Sequence, residues 1–217
     1  MQRYIVDSRK LGYAEYWRLS SSFGGFAIAA LCKLFGKRLD FKSVIQRLDH
    51  LIPIDAVKVQ ELALQPLQEN IQALNAAGME LKFYYTIPPA GQTDGCAAVL
   101  LSPDCKVLAQ VLHVYSTRPG ISRSETVLGC TSWKVDGNIL ASTNRKQKFN
   151  VSPALETARF LNVSPGELYE RHRARIENTP VQTLDAAKLD RFVLDLAHRE
   201  IDFNVARGVY VPAPDNT

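Results

Sequence analysis

Residues 107–115, VLAQVLHVY, are apolar at nearly every position, whichever parity is counted. A strand reads this way when both of its faces are buried, so the stretch belongs inside a sheet that is covered on both sides by helices. Its neighbours supply that sheet. Leu81, Phe83, Tyr85 and Ile87 alternate with Lys82, Tyr84 and Thr86, a period of two that marks a half-buried strand, which Pro88-Pro89 and Gly91 break. Cys96–Leu101 and Lys106–Thr117 flank Ser102-Pro103-Asp104-Cys105, a type I turn with proline at its second position. Thr126–Val135 and Asn138–Asn144 flank Asp136-Gly137, a tight-hairpin signal. Strands that follow one another this closely predict an antiparallel meander of about five, over roughly residues 80–144.

Helical patterns lie on either side. Ser20–Ser22 cap a helix through Phe26–Phe35 that stops near Gly36. Asp40 caps a second, with Val44, Ile45 and Leu48 on one face. Val57, Leu64, Leu67, Ile71 and Leu74 form the apolar stripe of a third, kinked at Pro66 and closed by Asn75–Gly78. Downstream, Ser152-Pro153 opens a helix and Ser164-Pro165 opens another with proline in its first turn. Thr183 and Asp185 open a last one, whose broad apolar face holds Leu189, Phe192, Val193, Leu196 and Val205, with Gly208 after it. The expected fold is α+β in a single domain over 1–217: helical 13–78, a β meander 80–150, helical 152–207 and a frayed tail 209–217. A length of 217 residues, with 46% hydrophobic and 22% charged, is enough for a sizeable core and excludes a disordered or collagenous chain.

The formal charge of +4 is too mild to imply a nucleic-acid partner, but the charge is uneven. Residues 21–50 and 144–178 are basic on balance, whereas 51–80 and 179–217 are acidic. The uncharged run Leu19–Cys32 falls short of the roughly 20 residues that span a bilayer, so no membrane span is expected and the run reads as a buried helix. Asp7 and Glu15 upstream do not suit a signal peptide, and Leu31 stands where an acylation site would want a small residue. The four cysteines, Cys32, Cys96, Cys105 and Cys130, form no C-x-x-C pair. A turn at Ser102–Cys105 sets Cys96 opposite Val111, too far from Cys105 for a disulfide, so reduced thiols in a cytoplasmic protein are expected.

Residues 156–176 read ETARFLNVSPGELYERHRARI. Ala158 is a small residue where two helices would approach, Asn162 tolerates a left-handed turn, and Val163 and Leu168 are apolar anchors. In these terms the stretch resembles the helix-turn-helix of excisionase-like bacterial DNA-binding domains, while no family is suggested for the whole chain. The resemblance implies a second helix entering the major groove by its N-terminal residues, here Pro165, Gly166, Glu167 and Tyr169, which are poor base readers. Phosphate contacts would fall to Arg171, His172, Arg173 and Arg175, helped by Arg145, Lys146 and Lys148. The same pattern also describes an ordinary helical corner packed on the sheet.

Catalytic motifs are missing. There is no G-x-S-x-G, P-loop or G-x-G-x-x-G, and no H-E-x-x-H, C-x-x-C or EF-hand spacing, so no catalytic residue, metal or cofactor is assigned. His113 alone among the histidines lies in the β region. Tyr84, Tyr85, His113, Tyr115 and Trp133 fall on consecutive strands, and polar-tipped aromatics of this kind line a ligand cleft or fill a core. The expected function is a cytoplasmic, non-enzymatic binding or regulatory module for a small ligand or protein partner. The alternatives are a nucleic-acid-binding protein acting through 144–178 and an enzyme with a sheet–helix site around His113, drawing on residues such as Cys130. Neither the partner nor the oligomeric state follows from the sequence.

Overall fold

The structure is a computed structural model, and it describes residues 2–20, 22–39, 44–61, 64–90, 93–118 and 121–214. In chain order the elements are β1 (Gln2–Val6), α1 (Tyr13–Leu19), α2 (Phe23–Leu34), β2 (Val44–Arg47), β3 (Ile52–Ile54), α3 (Ala56–Glu61), α4 (Gln65–Ala76), β4 (Glu80–Ala90), β5 (Thr93–Leu101), β6 (Leu108–Arg118), β7 (Ile121–Trp133), β8 (Ile139–Thr143), β9 (Leu155–Arg159), α5 (Pro165–Ile176), α6 (Leu189–Ala206) and β10 (Tyr210–Pro212). The fold is α+β. It comprises two compact units, one made of residues 1–49, 147–152 and 193–217, the other of 50–146 and 153–192.

The larger unit is built on one seven-stranded sheet in the order β3-β4-β5-β6-β7-β8-β9. The doubly apolar strand β6 is its middle strand, as its composition requires. β4 to β8 run antiparallel in sequence order, as the turn signals predict. The sheet nevertheless exceeds the expected five antiparallel strands: β3 adds to the β4 edge, and β9 adds to β8 in parallel, so the sheet is mixed. On one face, α4 contributes Leu67, Ile71 and Leu74 and α5 contributes Leu168, Tyr169 and Ile176 to a core with Ala98, Ala109, Val111 and Leu128. Gly95 is needed where β5 and β6 approach, because a Cβ there would fall 2.2 Å from the His113 carbonyl oxygen.

Several boundaries depart from the sequence reading, each for a local reason. β4 runs through Pro88 and Pro89, with a shift of register between Ile87 and Ala90. The turn at 102–105 forms, with Cys105 N–H donating to the Ser102 carbonyl. Cys105 then adopts φ 54, and Ser102 N–H reaches the Val107 carbonyl while Ser102 Oγ accepts from Val107 N–H. The loop therefore closes two residues later than the turn alone implies, and Cys96 lies opposite His113 rather than Val111. All four cysteines are free. The expected kinked helix is two helices, with Pro66 in the first turn of α4, Val57 exposed, and Val59 buried in its place. Ser152-Pro153 leads into strand β9 rather than a helix, because Ile139 N–H bonds the Ala154 carbonyl and draws the following residues alongside β8.

The smaller unit holds a three-stranded antiparallel sheet, β10-β1-β2. Two more expectations are corrected here. Val44–Arg47 is a strand paired with β1 rather than a helix, the capping Asp40 lying outside the described residues. Tyr210–Pro212 is the other edge strand rather than part of a frayed tail. The region read as helical, 13–78, thus contains β2 and β3. Val205, expected on the apolar face of α6, is exposed. The core is formed by Val6, Leu11, Tyr16, Ala29 and Val209.

One buried carboxylate joins the segments of this unit. Glu15 has no exposed surface, and it accepts from Gly12 N–H at 2.8 Å, from Asn150 N–H at 2.7 Å and from the Arg207 guanidinium at 2.6 and 3.0 Å. Burial pushes its pKa up, but the hydrogen bonds from Arg207, Asn150 and Gly12 together outweigh burial and hold it below 4.5. Its stabilisation is therefore fully present above pH 4.5 and is lost as the pH falls through the lower folded value. Glu15→Ala is expected to destabilise this unit by about 2–4 kcal/mol, since it leaves the Gly12 and Asn150 N–H groups and the half-buried Arg207 guanidinium without their acceptor. Urea unfolding read by hydrogen exchange at the β1 and β10 amides checks it.

Candidate functional site

The five aromatic residues singled out by sequence do not form one cleft. Tyr84, Ala98, Val111 and Leu128 lie in one cross-strand row, and Cys96, His113 and Thr126 in the next, so Tyr84, His113 and Tyr115 share the face packed by α4 and α5. Tyr85 and Trp133 have the opposite parity and lie on the other face. There Tyr85 accepts from Gln110 Nε2 at 3.4 Å, and Trp133 meets the Phe192 ring edge-on at 5.0 Å between centroids. Tyr84 alone of the five lines a cleft of about 450 Å³ between α4 and β4, with Gln68, Ile71, Gln72, Asn75 and Leu81.

His113 is committed to the core. It is buried, its Nδ1 lies 2.7 Å from Thr126 Oγ1, its ring meets that of Tyr115 at 4.7 Å, and desolvation lowers its pKa. Cys130 lies opposite Ala109, four residues along β7 from Thr126, which is roughly 13 Å at the rise of a strand. Burial raises the Cys96 and Cys130 thiols to about 11 and about 12, so both stay protonated and weakly nucleophilic at neutral pH. Among the described residues, no three histidine, cysteine or acidic side chains gather as a metal site.

The basic residues of α5 are engaged as well. The stretch that resembles a helix-turn-helix is strand β9, a turn with Asn162 at φ 62, and then α5, which Ser164 caps by accepting from Glu167 N–H. Arg171 bonds Glu167 at 2.6 Å and lies over the Phe160 ring, Arg173 pairs with Asp104, and Arg175 donates to the carbonyls of Ala141 and Glu156. Phosphate contacts would have to displace these partners. Arg145 and Lys146 belong to the same unit as α5, but Lys148 belongs to the other.

His172, read from sequence as part of that basic face, is fully buried. Leu168, His172 and Ile176 recur every four residues, so His172 lies on the apolar stripe of α5, a signal masked by the arginines around it. Its hydrogen bonds can be ordered by counting protons. Ser132 Oγ donates its one proton to the Lys106 carbonyl at 2.7 Å, so His172 Nε2–H must donate to Ser132 Oγ at 3.0 Å. Nδ1 then accepts from Ser142 Oγ at 2.9 Å, and Ser142 Oγ accepts from Arg175 at 2.9 Å. The imidazole is neutral, and together with Ser132 and Ser142 it is fully buried, so it ties α5 to β7 and β8. Desolvation, with Arg175 and Arg173 adding to it, lowers its pKa to about 3, which leaves it a poor base at neutral pH.

Exposed apolar surface concentrates on α1 and α2. The sequence reads α2 as a buried helix; only Ala29 of it is buried. Phe23, Leu34 and Phe35 are 72%, 69% and 72% exposed, and Ile28 and Leu31 are exposed beside them. On a period of 3.6 residues these five project from one side of the helix. Tyr13 and Trp17 of α1 extend the surface, with Trp17 edge-on to Phe26 at 5.3 Å. Lys33 ties α2 to the segment before α1 by donating to the Arg9 and Leu11 carbonyls at 2.8 and 2.7 Å. No helix among the described residues is long and apolar enough to cross a membrane.

No protein-family model, curated protein or solved structure matches the chain.

The His172 relay sets a pH dependence with a definite sign. Below pH 6.5 the unfolded chain protonates this histidine and the folded one does not, so stability falls with pH by about 1.4 kcal/mol per unit until the folded value is reached. His113 contributes in the same direction. His172→Gln is expected to lower stability at pH 7 by roughly 1–3 kcal/mol and to reduce the slope between pH 6.5 and 4.5 to the part that His113 supplies. Urea titrations at several pH values give both quantities.

Proposed function

We propose that the chain is a non-enzymatic binding module whose working surface is the outward face of α1 and α2. The observation that carries this reading is the chemistry of that face: seven large apolar side chains, four of them aromatic, stand more than half or half in solvent on adjacent helices. Contiguous exposed apolar surface of this kind marks interaction sites. Four groups that an enzyme site could use are spent elsewhere. His113, His172, Cys96 and Cys130 are buried in the sheet and its helices. Free thiols at all four cysteines support a reducing compartment, in keeping with a cytoplasmic module.

The exposed face is separable from the fold. Leu31 and Phe35 point away from the core that Ala29 and Phe26 join, so acidic residues there meet water rather than protein. The double variant Leu31→Glu/Phe35→Glu is expected to melt at the same temperature as the parent protein. The parent should enhance the fluorescence of anilinonaphthalene sulfonate, a dye that takes up exposed apolar surface, and the variant should lose most of that enhancement. A parent that leaves the dye dark, or a variant that binds it equally, refutes the assignment of the face.

A further inference from the structure

The charge around this face selects its partner. Between Asp7 and Asp40 the charged residues are Arg9, Lys10, Arg18, Lys33, Lys37 and Arg38 against Asp7, Glu15 and Asp40, and Asp7, itself buried, pairs with Arg9 at 2.8 Å. Glu15 is buried and neutralised by Arg207. Lys37 and Arg38 are exposed directly after α2, and Lys33, by holding the Arg9 and Leu11 carbonyls, keeps Arg9 and Lys10 beside the same helix. An apolar surface is thus bordered by the exposed cations Lys10, Lys37 and Arg38, and among the described residues of 7–39 both acids, Asp7 and Glu15, are buried and paired with arginine.

We propose that the α1–α2 face docks on the surface of an anionic lipid bilayer, inserting Trp17, Phe23, Leu31, Leu34 and Phe35 among the lipid chains while the basic rim meets the headgroups. The inference rests on the reading of this face as the binding surface. Three features favour a bilayer over a protein. First, two copies joined symmetrically through the face would bring the like-charged rims of Lys10, Lys37 and Arg38 together. Second, protein interfaces carry about one hydrogen bond per 100–200 Å², whereas the five exposed side chains on α2 and its C-cap, Phe35, hold no polar atom; hydrocarbon asks for none. Third, the exposed cations Lys37 and Arg38 follow directly on the apolar face, and the cytoplasmic leaflet that they would meet is anionic. At 12 residues α2 is roughly 18 Å long, suited to lie on a bilayer and too short to cross one.

The molecule carries its own reporter. Of its two tryptophans, Trp17 is 55% exposed on the face and Trp133 is 3% exposed in the other unit. The full chain is mixed with vesicles of phosphatidylcholine alone, or with about one-third phosphatidylserine, then floated through a density gradient while tryptophan emission is recorded. The expected result is flotation with the anionic vesicles, at least tenfold weaker with the neutral ones and weakened by salt. A blue shift should accompany it that Trp17→Phe abolishes. Leu31→Glu/Phe35→Glu and Lys37→Glu/Arg38→Glu should each cut flotation severalfold with melting unchanged, and Arg171→Glu in the other unit should leave it intact. Failure to float with anionic vesicles at low salt overturns the proposal, as does equal flotation of the Leu31/Phe35 variant. Sedimentation equilibrium separates the two readings. A dimer dissociated by Leu31→Glu/Phe35→Glu, without vesicle binding, overturns the bilayer and keeps the face as a binding surface. A monomer that ignores vesicles and shields Trp17 from iodide overturns both.

Discussion

The smaller unit depends on one carboxylate. Its residues come from three distant stretches of chain, and Glu15 bonds to something in each: Gly12 beside it, Asn150 on the crossing segment and Arg207 near the end of α6. An apolar core as small as Val6, Leu11, Tyr16, Ala29 and Val209 gives little directional information. The carboxylate supplies direction, because its oxygens accept only along defined lines and its burial makes any unfilled site costly. The position of α1, and with it the placing of Tyr13 and Trp17, follows from that anchorage.

The larger unit uses the same device with a different group. His172 occupies a position that spacing assigns to an apolar residue, and the relay from Lys106 through Ser132, His172 and Ser142 to Arg175 satisfies each polar atom in turn. A network completed in this way fixes α5 to particular residues of the sheet, where leucine-on-leucine packing would tolerate sliding. It also leaves this histidine, set between two serines, without a free ring nitrogen. Its nitrogens are occupied, and its proton is held in one arrangement.

What the sequence revealed was what is local. The strand alternation at 81–87, the doubly buried β6, the turn at Ser102, the cap at Ser164 and the stop at Gly78 are each decided within a few residues, and each is found where expected. Distant pairings were illegible. β1 and β10 join across almost the whole chain, and β9 is drawn into the sheet by β8 although Ser152-Pro153 is a good helix start. The shift that sets Cys96 against His113 came from one left-handed residue, Cys105, which carries no glycine or asparagine to announce it. The candidate face was missed for another reason. Apolar content reports a need for cover without saying whether the cover belongs to the same molecule, so α2 read as core.

The discontinuity of the smaller unit bears on how the protein is made. During synthesis β1 leaves the ribosome first and finds β2 within fifty residues, but its other edge waits for β10, whose register partners Tyr4 and Pro212 span nearly the full length of the chain. Residues 50–146, holding β3 to β8, emerge well before Arg207 exists to neutralise Glu15. The smaller unit is therefore completed only after residues 50–192 have emerged, and until β10 follows them one edge of β1 lacks its partner.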